Sequence, residues 1–310
     1  MTDTQDQNAA LAAMATIPAL QNAGKPVRLG GLTNLVFRAG DYCLRLPGKG
    51  TEEYIDRANE AVAARAAAGA GVAPEVVHAD AKTGLMVTRF IDGAVTMTPE
   101  AFGARPGAPA RAGQAFAKLH SSGAQFPFRF ELFAMIDDYL GILATKDVDL
   151  PPGYHDVVAE AEAVRAALNA HPLPLAPCHC DPLCENFLDT GDKMWIVDWE
   201  YSGMNDPMWD LGDLSVEAGF DAAQDGELLQ AYFGAEPSAR DHGRMVIYKA
   251  MCDLLWTLWG LIQLANQNPA DDFRAYADGR FARCKALMAT PEFARHLGAI
   301  AKGQAGSSCP

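Results

Sequence analysis

The segment His179-Cys180-Asp181-Pro182-Leu183-Cys184-Glu185-Asn186 places an imidazole, a carboxylate and a carboxamide close together. Asp198 follows seventeen positions after Asp181, at the end of the apolar run Trp195-Ile196-Val197. The pattern is H-x-D-x-x-x-x-N, then a hydrophobic strand ending in Asp. Phosphoryl transfer asks a protein for little covalent help, but it needs an acceptor for the alcohol proton and hard oxygen ligands for Mg2+. An Asp, an Asn and a second Asp supply those three roles. The spacing lets Asp181 and Asn186 share one loop while Asp198 arrives on the neighbouring hairpin, so that the carboxylates face the same phosphates. Each residue alone is ordinarily a turn former or a helix cap, and only the combination points to this chemistry. Cys178, Cys180 and Cys184 around His179 are zinc-ligand types, but zinc sites usually pair a C-x-x-C with a second, distant ligand pair.

Short elements must position these groups. Residues 26–29, 35–39 and 42–46 are apolar runs separated by Gly30-Gly31 and Gly40-Asp41, which predicts a three-stranded antiparallel meander. Thr51 with Glu52 and Glu53 has the form of a helix start, with the helix ending near 69–71. Two more strands are expected at 75–79 and 85–90, after which the chain leaves the sheet at Asp92-Gly93. Beyond that point the pattern is helical at 99–121, 133–145 and 154–170. It is interrupted over 172–196 and helical again to 297, with a Pro/Gly/Ala-rich loop at 105–111 that could initiate a helix. The first two dozen residues form a loose Ala-rich helix and the tail 303–310 is frayed. The fold class is α+β: a nucleotide-binding lobe at 1–92 with a small antiparallel sheet, and a larger, mainly helical catalytic and substrate-binding lobe at 93–310.

Composition narrows the partners. The chain has 310 residues, 49% of them hydrophobic, enough for one large core or two lobes. Its formal net charge of −14, with no basic run, repels a nucleic-acid backbone. The first basic residue is Lys25, so the N-terminus lacks the charged region of a secretory signal, and a cytoplasmic location is expected. Seven cysteines, three of them in one loop, are expected as reduced thiols. Residues 245–265 are apolar enough to suggest a membrane span, but Lys249 and Asp253 lie near the middle, and a charge there costs about 2.5–3.5 kcal/mol at a bilayer centre. A buried core helix is expected instead, with no membrane span and with these two charges paired across one turn.

Read together, Gly30-Gly31-Leu32-Thr33-Asn34, Leu44-Arg45-Leu46-Pro47-Gly48, the 179–186 loop and Val197-Asp198-Trp199-Glu200-Tyr201-Ser202-Gly203-Met204-Asn205-Asp206-Pro207 with Asp210-Leu211-Gly212 resemble the choline/ethanolamine kinases of the LicA type. These belong to the wider protein-kinase-like and aminoglycoside-phosphotransferase fold, and the resemblance extends over 26–288. It implies ATP and Mg2+ in a two-lobed cleft, Asp181 as catalytic base, Asn186 and Asp198 as metal ligands, and His179 as a structural residue. Asp210 would brace the catalytic loop from below. Gly30, Gly31, Thr33 and Asn34 would cover the ATP phosphates, although a glycine pair between strands is by itself a plain hairpin turn. Arg45 stands where protein kinases carry a lysine, a position at which choline kinases commonly use Arg, and Glu60, fifteen residues later, is placed to pair with it. Arg and Lys are not interchangeable at most ion pairs, so a non-catalytic nucleotide-binding module is the reading from another class.

The resemblance also gives the alcohol site. Trp256, Trp259 and Gln263 share one helical face by their spacing, and Tyr276 with Arg280-Phe281 follows on the next helix. Aromatics so spaced usually form core. In choline kinases a Trp-x-x-Trp and a later Tyr cage the quaternary ammonium, which has no N–H to donate and is held by ring faces at roughly 0.5–2 kcal/mol per ring. Glu217 matches a family acid near the cation and is otherwise a surface helical Glu. The expected substrate is a small cationic alcohol, choline, with ethanolamine, thiamine, methylthioribose or an aminoglycoside as alternatives on the same fold.

Overall fold

The computed structural model describes residues 3–30, 34–48 and 55–302. Five strands form an antiparallel sheet: β1 (Val27–Gly30), β2 (Leu35–Ala39), β3 (Tyr42–Leu46), β4 (Val76–Ala79) and β5 (Met86–Arg89), in the order β1-β2-β3-β5-β4. Strand alternation puts Phe37, Ala39, Leu44 and Val87 on one face. α1 (Asp3–Ala15) lies against that face, so the expected loose helix is a packed one. Ala10 and Met14, one turn apart, join Ile17 and Leu20 of the following single turn in burying it. An Ala-rich stretch shows little amphipathic contrast, which hides this role from the sequence.

Between β3 and β4 runs α2 (Arg57–Gly69). Its cap is Asp56, whose carboxylate accepts from Ala58 N and Asn59 N at 2.8 and 3.2 Å. The cap therefore lies five residues beyond the expected Thr51, which with Glu52 and Glu53 is outside the described residues. The alanine face of α2 (Ala63, Ala64, Ala67) packs into the core of the helical region rather than into the small-sheet core.

After Gly93, β6 (Val95–Thr96) pairs with β8 (Phe187–Asp189), and β8 with β9 (Met194–Ile196). The single helix expected at 99–121 is two, α3 (Pro99–Ala104) and α4 (Ala108–His120). Arg105 is extended before Pro106, and Gly107 has φ of 73°, so neither continues a helix. α5 (Leu132–Leu143) and α6 (Tyr154–Ala170) follow, then β7 (Ala176–Cys178), which pairs with β10 (Gly203–Asn205). The remainder is helical: α7 (Met208–Ala218), α8 (Ala222–Phe233), α9 (Ala239–Ala265), α10 (Phe273–Met288) and α11 (Pro291–Ala301).

α9 is long and apolar enough by composition to cross a membrane, yet 83% of its most apolar window is buried among its neighbours. α7 approaches it closely at Gly212, where a Cβ would stand 2.7 Å from Tyr248 Cβ and 2.8 Å from the Met245 carbonyl. The expected Lys249–Asp253 pair does not form. Lys249 Nζ meets Asp225 at 2.9 Å, and Asp253 is taken by Arg280 at 3.2 Å and Arg283 at 2.6 Å. Tertiary partners with better reach override the one-turn pairing.

Candidate active site

The loop after β7 is held from beneath by one carboxylate. Asp210, on the first turn of α7, accepts from His179 N and Cys180 N at 2.8 Å each and contacts His120 Nε2 at 3.0 Å. Trp209 Nε1 donates to the Cys180 carbonyl at 3.1 Å. This clamp keeps Cys180 at φ of 69°, an uncommon value for a residue with a side chain, and so turns the chain to present Asp181. The His179 ring bridges the loop to the next strand: Nδ1 accepts from Asp181 N at 3.3 Å, so Nε2 carries the proton and donates to the Val197 carbonyl at 3.0 Å. Burial lowers the pKa of His179, which suits the neutral ring that this arrangement requires.

Asn186 and Asp198 are brought together by the β8–β9 hairpin. Val197 N donates to the Asn186 carbonyl at 2.9 Å, so the next residue, Asp198, leaves the strand beside Asn186, at φ of 66°. Asn186 Nδ2 donates to the Asp181 carbonyl at 2.9 Å, which turns the amide oxygen the other way. Together with Asp198 that oxygen makes a donor set of hard atoms, which fits Mg2+.

On the sheet side of the cleft, Arg45 lies next to Leu44 but on the opposite face of β3. Its guanidinium pairs with Glu60 of α2 through both terminal nitrogens, one at 2.8 Å, and reaches Asp198 at 3.3 Å. Arg57 joins the network at 2.9 Å from Glu60 and 3.0 Å from Glu200. The Arg45–Glu60 pairing read from spacing is therefore present. Asn34 is buried; its Nδ2 donates to Glu200 at 3.3 Å and its Oδ1 accepts from Gly48 N at 3.2 Å, so it ties the sheet to the segment that follows Asp198. Gly30 ends β1 at the exposed edge, while Gly31 and Thr33 lie outside the described residues.

Beyond Asp181 four rings meet. Tyr201, three residues after Asp198, packs its ring edge-on to Trp256 at 5.6 Å and accepts from Trp259 Nε1 at 3.1 Å. Trp259 meets Tyr276 at 5.7 Å. Gly260 makes room for that tyrosine, since a Cβ there would stand 2.6 Å from the Tyr276 ring. Glu217 reaches the cluster but is ion-paired with Arg280, whose guanidinium also lies 4.6 Å over Tyr276. The face of α7 carrying Asp210, Asp213 and Glu217 supplies a further acid, Asp213, which accepts from Trp256 Nε1 at 3.3 Å.

The acids of the cleft hold their protons more tightly than usual. Asp181 is pushed well above the carboxylate range by burial and then by Asp213, Asp198, Glu200 and Glu217. Asp198 is raised by burial, against the pull of Arg45, and Glu200 is raised to about 7 by burial and Asp198. Asp213 is raised by burial and by Glu217. A cleft in this condition attracts cations, both metal and organic.

Spacing alone did not single out Arg57, Glu200, Tyr201 or Asp213. Two signals were present: Glu200 and Tyr201 directly follow Asp198, and Asp210, Asp213 and Glu217 repeat at the same i, i+3, i+7 interval as Trp256, Trp259 and Gln263.

Residues 24–248 match the model of the phosphotransferase enzyme family. The fold superposes on the crystal structure of a choline/ethanolamine kinase family protein from Mesorhizobium loti with a TM-score of 0.91, at 72% identity, covering 96% of this chain and 100% of that one. Protein LicA of Haemophilus influenzae is 26% identical over 265 residues, 80% of this chain and 75% of LicA. The choline kinase LicA from Streptococcus pneumoniae shares the fold, with a TM-score of 0.76 at 24% identity, covering 91% of this chain and 99% of that one. With the two-lobed, kinase-like architecture and the alcohol-phosphotransferase motifs in place, this chain belongs to the phosphotransferase enzyme family and, within it, to the choline/ethanolamine kinases.

Proposed function

We propose that this protein transfers the γ-phosphoryl group of ATP to the hydroxyl of choline, giving phosphocholine and ADP in a cleft between lobes at 1–92 and 93–310. The observation that carries the choice of alcohol is the meeting of Tyr201, Trp256, Trp259 and Tyr276 on the Asp181 side of the cleft. A trimethylammonium offers only methyl surface and diffuse charge, and ring faces satisfy both. LicA of Streptococcus pneumoniae, which shares the fold, is described as a choline kinase, in line with this choice.

Asp181 accepts the hydroxyl proton as the oxygen bonds to the γ-phosphorus and the bond to the β,γ-bridging oxygen breaks, with ADP leaving. Its raised affinity for protons is relieved when the substrate ammonium enters, so the carboxylate becomes a base in the loaded site. Asn186 and Asp198 would hold Mg2+, which neutralises phosphate charge and aligns the phosphates for in-line transfer. Arg45, fixed by Glu60, faces the same space with a positive charge for the nucleotide phosphates.

Ethanolamine is the second reading, favoured by the acceptor that Asp213 offers at the N–H edge of Trp256, since each buried N–H donor left unmet costs about 1–3 kcal/mol. ADP release measured with both alcohols decides between them. Choline is expected to exceed ethanolamine by roughly ten- to a hundredfold in kcat/KM, and Trp259→Ala to raise KM for choline about tenfold and narrow that ratio. Equal values in the wild type, or an unchanged ratio in the variant, would return the four rings to the core.

A further inference from the structure

Where α7, α9 and α10 meet, three carboxylates face two guanidiniums. Arg280 pairs with Glu217 and with Asp253, and Arg283 pairs with Asp253, so both positive charges are taken up by those two acids. Asp213 is the acid left over. It is 1% exposed; one oxygen accepts from Trp256 Nε1, and the other has no hydrogen-bond partner among the described residues. Burial and Glu217 make Asp213 hold its proton, while Arg280 draws on it from a distance without forming an ion pair, so ionising it is costly and asparagine would fill the same space without that cost. Its ionised form therefore calls for a partner that arrives from outside.

Asp213 sits at the N–H edge of Trp256, and the ring of Trp256 belongs to the aromatic cluster. An indole N–H that donates to an anion gains electron density over its faces. A negative charge fixed at the ring's N–H edge also adds to the field that a cation meets over its faces. Glu217 cannot supply that field as well, because Arg280 neutralises it.

We propose that Asp213 is the counter-charge of the alcohol site, an acid at the N–H edge of Trp256 that ionises as the cation enters and makes the aromatic cluster select a cationic alcohol over a neutral one of the same shape. This rests on the reading of the cluster as the alcohol site and adds which residue supplies its charge. Asp213 acts through Trp256 and through space, as a positioning residue rather than a catalytic one.

The test uses choline and its neutral isostere, in which carbon replaces the quaternary nitrogen. Both dissociation constants are measured by calorimetry on the full chain with an ATP analogue and Mg2+. The wild type should bind the cation more tightly, and Asp213→Asn should lower that preference about tenfold by weakening the cation alone. Asp213→Glu and Asp213→Gln form a second pair, equal in size and different in charge, for use if the asparagine variant does not fold. The glutamate should keep more of the preference than the glutamine. A preference unchanged in Asp213→Asn, or both ligands weakened equally, overturns the inference and leaves the alcohol-site reading intact. A wild type indifferent to the charge removes that reading, and the inference with it.

Discussion

The two sides of the cleft handle charge in opposite ways. On the sheet side, Arg45 and Arg57 are interlocked with Glu60, Glu200 and Asp198, and each acid there contacts a guanidinium. On the helical side, the acids outnumber the guanidiniums, and Asp213 has no ion-pair partner among the described residues. The first network holds itself together and fixes β3 to α2 before any ligand arrives. The second is completed by what binds. A residue on the first side is thus expected to matter for folding as well as turnover, and one on the second mainly for recognition.

The largest effect separates chemistry from either network. Asp198→Ala should lower Mg2+-dependent turnover by about a thousandfold or more, because losing the anionic ligand removes several kcal/mol of charge stabilisation. Full activity at ordinary Mg2+ would take Asp198 out of the metal site. Next, Asp181→Asn should reduce kcat by roughly 10²–10⁴-fold while ATP affinity, read by titration with a fluorescent analogue, is retained. Near-normal kcat would leave the proton without an acceptor in this scheme.

Stability tests the contrast itself. Glu60→Gln leaves Arg45 and Arg57 facing each other without their shared acid, and should cost about 3 kcal/mol in denaturant unfolding. Asp213→Asn, which replaces a buried carboxyl with no ion pair by a neutral group of the same size, should leave stability equal to the wild type or raise it. If the two variants lose stability alike, the distinction between the sides fails.

The smallest effect is in pH. Asp181, Asp198, Asp213 and Glu200 all hold protons more tightly in the fold than free carboxylic acids do, the last up to about 7. Between roughly pH 4.3, where an unfolded Glu titrates, and about pH 7, these four carboxyls bind more protons in the folded chain than in the unfolded one, and they outnumber His179 and His296, which burial shifts the other way, so stability falls as pH rises. The Tm of the ligand-free protein should therefore drop between pH 5 and pH 8 by a few degrees, and ATP, Mg2+ and choline together should flatten the slope. A Tm that rises across that window contradicts the charge state described for the cleft.

The candidate catalytic loop was legible because its pattern is local. Asp181 and Asn186 are close in sequence, and Asp198 follows a short apolar strand, so spacing alone puts the first two on one loop and the third at the end of the neighbouring hairpin. The strands were legible for a similar reason, bounded as they are by Gly40 and Gly84, both at positive φ. Asp213 was not, since its meaning depends on α9 lying across α7, a contact that no local pattern encodes. Nor was the break between α3 and α4, where Arg105-Pro106-Gly107 outweighed a helical periodicity running through it. The pairing of β6 with β8 escaped for want of length, two residues being too few to show alternation.

One bond between the sheet and the hairpin has a mechanical consequence. Ile196 N, at the end of β9, donates to the carbonyl of Val72 at 2.8 Å, just past α2, and the β6–β8 pairing lies on the next strand of the same small sheet. Any opening of the cleft that keeps these bonds has its fulcrum there. Asp198 lies only two residues beyond Ile196 and so close to that fulcrum, whereas the Gly30 end of β1, on the edge strand at the far end of the sheet from β4, has the longest lever arm.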